Sequence, residues 1–167
     1  MTHFDEYDQD LGRRRPKRDR QPLVTPPPRQ FWDGAHAICP YCQGKALLVQ
    51  FKDPGYPYAR DWGQVWACPC PAKAYVGVHR GTNIPLGRLA DADLRNARRA
   101  AHAAFDPLWQ RRADRGQQQI LARTDEYRKL ARALGIPARE CHIGWFDVEQ
   151  CERVTHYAAS TDFEALA

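Results

Sequence analysis

The sequence is poor in what would place it in a membrane or outside a cell. No apolar run approaches the ~20 residues that a bilayer core requires, so a helical membrane span is excluded. The first residues are acidic and then arginine-rich, with no apolar stretch after them. That pattern fits neither a secretory signal nor a transit peptide. Six cysteines are too few and too unevenly placed for a disulfide scaffold in 167 residues. A reducing cytoplasm is the expected setting, where close cysteine pairs become candidate metal ligands. Motifs of catalysis are scarce as well: there is no glycine-rich phosphate loop, Ser-His-Asp arrangement or H-E-x-x-H.

What is present suffices for one domain of about 100–150 residues and a tail, not for two enzyme domains. Residues 1–30 combine prolines with a run containing Arg13, Arg14, Arg15, Lys17 and Arg18, and are expected to form a disordered arm. Residues 31–88 hold half of the aromatics and four cysteines and are expected to form a zinc-binding β unit. Residues 89–167 are expected to form a helical region packed on that unit as one compact domain. Residues 91–139 sum to +5 and residues 140–167 to −5, so the acidic end masks a basic middle within a total of +5.

Periodicity and caps give the coarse elements. Lys45–Phe51, Val65–Ala67 and Ala74–Val78 suit strands. Asp91 caps a helix whose apolar stripe runs Leu94, Ala97, Ala101, Ala104, Phe105 and Leu108. Asp106-Pro107 then predicts a break and a new helix ending near Gly116. A further helix is expected from Thr124, exposing Asp125 and Glu126 and burying Tyr127, Leu130, Ala131 and Leu134, with Gly135 as its left-handed cap. Asp147 and Gln150 have the spacing of a capping box before a last helix. The class is α+β, with a zinc-ribbon-like β unit of about three strands followed by three to four helices.

Cys39-Pro40-Tyr41-Cys42-Gln43-Gly44 is the most informative stretch. Two intervening residues let both thiolates face one cation from a tight turn, and Gly44 lets the backbone curl so that amides face the sulfurs. Cys68-Pro69-Cys70 lies between two predicted strands. Two hairpin turns, each offering a pair of sulfurs, describe a Zn2+ site that helps to fold a thin β unit. One residue between Cys68 and Cys70 gives a smaller bite. His79 is the alternative ligand if one of them faces away, and His36 a more distant one. Cys141 and Cys151 have no close cysteine partner and read as core.

"CPYCQGKA", "AYVGVHRGTNIPLGRLADADLRNARRAAHAAFDPLW" and "LGIPARECHIGWFDVEQCERV" together resemble a family of phage and prophage proteins described as zinc-finger-containing and of unknown function. The resemblance covers roughly residues 37–155 and implies a phage or prophage origin and a metal site; the cytoplasm expected above is then that of a bacterial host. Family members generally carry a second C-x-x-C before the AYVG-like strand, and often a cysteine before its histidine. Here Cys68-Pro69-Cys70 and Val78-His79 stand in those places, so the resemblance carries over to Cys39 and Cys42 and leaves the other two ligands open. It implies no catalytic activity.

Arg95, Arg98 and Arg99 share one helix face and, with the N-terminal arm, suit phosphates; an ordinary solvated face is the competing reading. Tyr56, Tyr58 and Trp62 lie in a Pro/Gly loop among Lys52 and Arg60, suited to stacking on bases or to packing as the unit's own small core. Residues 127–144 have a helix-turn-helix outline, but Gly144 and Glu140 favour a structural corner. The expectation is a non-catalytic, zinc-stabilised protein that binds nucleic acid or a nucleic-acid machine such as host RNA polymerase. A host-takeover protein that binds a host protein without touching nucleic acid is the alternative. An HNH-like nuclease built on His79, Asn83 and His102 is third.

Overall fold

The computed structural model describes residues 27–166, with side chains described to residue 161. Arg13, Arg14, Arg15, Lys17 and Arg18 lie outside the described residues. Three short strands, β1 (Leu47–Val49), β2 (Val65–Ala67) and β3 (Tyr75–Gly77), form an antiparallel sheet in the order β1-β2-β3. Leu48 faces Trp66 and Trp66 faces Val76 across the ladders, so one apolar row crosses the sheet. That row packs with Ala37, Ala46 and Leu89 into a small core.

Three helices follow: α1 (Ala92–Asp114), α2 (Gln119–Leu134) and α3 (Val148–Leu166). Two 3-10 turns, Ala138–Glu140 and Ile143–Trp145, join α2 to α3. The class is α+β, as expected. A larger core of Phe105, Trp109, Leu130, Ile143, Phe146 and Val154 lies between the helices and includes Cys141 and Cys151. None of the described helices is long and apolar enough to cross a membrane.

The caps act as their residue types dictate. Asp91 Oδ1 accepts the Leu94 amide at 2.9 Å. Gly135 sits at φ 68°, and the Ile136 amide returns to the Ala131 carbonyl. Asp147 and Gln150 bond reciprocally, at 2.9 and 3.1 Å.

Three local expectations are corrected. α1 runs unbroken through Pro107. Ala103, whose carbonyl loses its usual donor there, is exposed to water, and buried Phe105, Leu108 and Trp109 hold the helix in line. Asp106 does not cap a new helix; its carboxylate accepts from Trp109 Nε1 and lies 3.5 Å from His102. α2 begins at Gln119 rather than Thr124, with no side-chain cap. Glu126 is not exposed: it is buried and meets Arg112, Lys129 and the Tyr157 hydroxyl at 3.3, 3.1 and 2.9 Å.

The sheet unit meets the helices at a close backbone seam. The Arg88 amide donates to the Gly144 carbonyl at 3.0 Å. A Cβ on Gly87 would fall 2.0 Å from that same oxygen, so only glycine fits there. Phe31 stacks on Trp145 at 6.0 Å and lies beneath the Arg88 guanidinium at 4.8 Å.

Candidate metal centre

Each cysteine pair sits in a turn whose hydrogen bonds fix the sulfurs. The Cys39 amide donates to the Gly44 carbonyl and the Gln43 amide to the Cys39 carbonyl, both at 2.9 Å. Gln43 takes φ 60°, which makes this turn tight enough to aim both side chains inward. In the second turn the Cys68 amide donates to Ala74 and the Lys73 amide to Cys70, again at 2.9 Å. Lys73, at φ 46°, plays the part of Gln43.

The four sulfurs converge. All lie within 4.8 Å of one another, with Cys39 to Cys70 at 3.8 Å and Cys42 to Cys68 at 3.5 Å. A disulfide needs ~2.05 Å, so these are not bonded pairs. A tetrahedron of sulfurs around zinc, with Zn–S ~2.3 Å, has edges of ~3.8 Å, close to the 3.8 and 3.5 Å of these two pairs. The donor set therefore fits Zn2+, and four thiolates form the closed shell of a structural ion.

Electrostatics divide the set. Burial pushes the Cys68 thiol up to about 12 and raises Cys39, whereas the Gly44 amide draws Cys42 down. A cation here would offset that cost by holding all four as thiolates. His79 is not part of the cluster; among the described residues the group placed for a metal is Cys39, Cys42, Cys68 and Cys70. His36 pairs instead with Asp33, at 3.3 Å. The first turn also reaches the helical half, because the Tyr41 hydroxyl accepts the amide of Asp91, the cap of α1, at 3.1 Å.

The remaining candidates separate. Arg98 is engaged in the seam, donating to the carbonyls of Arg88 and Phe146 at 3.1 and 3.3 Å, and burial lowers its pKa to about 10. Arg95 lies 4.1 Å over the Tyr75 ring and donates to the Ala90 carbonyl at 2.6 Å. Arg99 is exposed beside Asn96. Tyr58 packs edge-on between Tyr56 and Tyr75. Tyr56 braces its loop: its hydroxyl donates to the Gly63 carbonyl and accepts the Trp62 amide, at 2.9 and 2.8 Å. Trp62 is 45% exposed, with the Arg60 guanidinium 5.5 Å from its ring.

His102 pairs with Asp106 at 3.5 Å, and the Asn83 carbonyl accepts from Trp66 Nε1 at 2.7 Å. Sequence reasoning missed Arg88, whose aromatic partner Phe31 lies 57 positions earlier with no local pattern to announce it. Residues 35–161 match a family model described as a zinc-finger-containing domain. No curated protein and no solved structure matches the chain.

Proposed function

The chain belongs to the family of zinc-finger-containing domains, and from that premise we propose that it is a zinc-stabilised, non-catalytic module that binds nucleic acid. One observation carries this reading: Trp62 is presented to solvent on a loop whose backbone is hydrogen-bonded in place, with a guanidinium beside it. An exposed indole costs little ordering entropy when its loop is already fixed, and a base stacked on it gains ~1–3 kcal/mol. The net charge of +5 adds attraction for phosphates, and Arg99 and Arg111 are exposed along α1 to meet them. Arg95 and Arg98 belong to the scaffold in this reading.

Binding of a fluorescent single-stranded oligonucleotide to the zinc-loaded chain tests it. Affinity should fall steeply with salt and drop about tenfold in Trp62→Ala, the loss of one stacked base. Salt-independent binding, or none, would reject the reading. The second reading, capture of a host protein such as RNA polymerase, draws on Leu47 and Tyr41. Both are exposed on the zinc unit, at 58% and 40%, and Leu47 lies on an edge strand.

A further inference from the structure

A cavity of about 370 Å³ opens at the corner between α2 and the first 3-10 turn. It is far from ordinary in charge. Arg123, Arg128 and Arg139 line it together with Thr124, Tyr127 and His142, and among the described residues none that lines it is acidic. Arg123, Thr124, Tyr127 and Arg128 follow the spacing that puts residues on one helix face, so a single face of α2 forms one wall.

The floor is aromatic. Tyr127 lies with the Arg123 guanidinium 5.1 Å from its ring, and His142 stacks near-parallel at 6.3 Å. His142 Nδ1 accepts the Gly144 amide at 3.1 Å, which leaves the proton of the neutral ring on Nε2 as a donor. Desolvation of the ring and the nearby Arg123 charge lower the His142 pKa, which favours the neutral ring.

Among the described residues, the two outer guanidiniums pair with surface carboxylates. Arg128 meets Asp125 and Arg139 meets Glu140, each at 3.2 Å, with the arginines 64% and 80% exposed. Such exposed pairs contribute little to stability, so they yield readily to a better anion. A phosphomonoester is that anion: it carries nearly two charges and accepts from planar guanidiniums in pairs. Ile120, 57% exposed at the lining, offers apolar contact to a group attached to the phosphate. The volume lies in the range of small-molecule sites.

We infer that this cavity binds a phosphomonoester of nucleotide size, either a free nucleotide or the terminal phosphate of a nucleic-acid strand. The site stands apart from the aromatic loop and does not depend on the reading of Trp62.

Amide NMR of the zinc-loaded full chain tests it with inorganic phosphate, adenosine monophosphate, adenosine, and a short single strand with and without a 5′-phosphate. A saturable response centred on Thr124, Arg139 and His142 is expected from the phosphorylated probes and not from adenosine or the 5′-hydroxyl strand. Tighter binding of the mononucleotide than of the phosphorylated strand identifies a free nucleotide as the ligand; the reverse order identifies a strand end. Arg128→Gln and Arg139→Gln should each weaken binding about tenfold, the loss of one charge-assisted hydrogen bond. Both positions are exposed, so the rest of the spectrum should stay unchanged, and Trp62→Ala should leave the response intact. Shifts that fail to saturate, that spread over all basic residues, or that survive both glutamine variants would overturn the inference.

Discussion

The two halves of this molecule are held together by different physics. The helical half is built around bulky side chains: Phe105, Trp109, Leu130, Ile143 and Phe146 are all buried between its helices. The β half has three strands of three residues each and a core in which the small side chains of Ala37, Ala46, Ala74, Cys39 and Cys68 surround Trp66, with Trp32 packed against its edge. Strands that short do not bury enough apolar area to offset the ordering of their loops. The four sulfurs supply what the core does not. A metal thus takes the place of side-chain bulk in one half, where, among the described residues, the group placed to bind it lies.

That comparison is broken most severely by removing a ligand. Cys39→Ser should abolish tight zinc binding, whose apparent free energy in small zinc units is about 10–16 kcal/mol. Amide exchange should then show residues of β1 to β3 unprotected, while the helical signal in circular dichroism largely remains. Equal loss of both halves would mean that the helical core does not stand on its own.

Gly87→Ala strikes the seam rather than either half. Its Cβ would lie 2.0 Å from the Gly144 carbonyl oxygen, against backbone that cannot turn aside. A loss of about 3 kcal/mol in denaturant unfolding is expected, with zinc content unchanged.

The smallest effects sharpen the distinction between scaffold and surface. Arg98→Ala should cost about 2 kcal/mol, because it orphans the carbonyls of Arg88 and Phe146. Arg99→Ala, one position along the same helix, should stay within about 0.5 kcal/mol. Similar values for the two would show that the seam does not rest on Arg98.

Much of the site was legible in the sequence because its signals are local. The spacing of Cys39 and Cys42, the caps at Asp91 and Gly135, and the Asp147–Gln150 pair each act within a few residues. The one-residue spacing of Cys68 and Cys70 left their joint ligation open. Lys73 in a left-handed conformation brings both of these sulfurs to the other pair, a choice that a lysine does not advertise. What stayed hidden is tertiary. Pro107 looked like a helix boundary, and only packing of Phe105, Leu108 and Trp109 carries α1 past it. Glu126 looked solvated, and only Arg112 from α1 and Tyr157 from α3 let it be buried. Arg95 and Arg98 had the spacing of a phosphate-binding face, yet Tyr75 and two distant carbonyls claim them.

The central claim is that sulfurs from two separate turns hold one cation. X-ray absorption spectroscopy at the zinc edge, with metal analysis on the same sample, tests it most directly. About one zinc per chain, surrounded by four sulfurs at ~2.3 Å, is the expected result. A shell containing nitrogen or oxygen, or a β half that folds without bound metal, would contradict it.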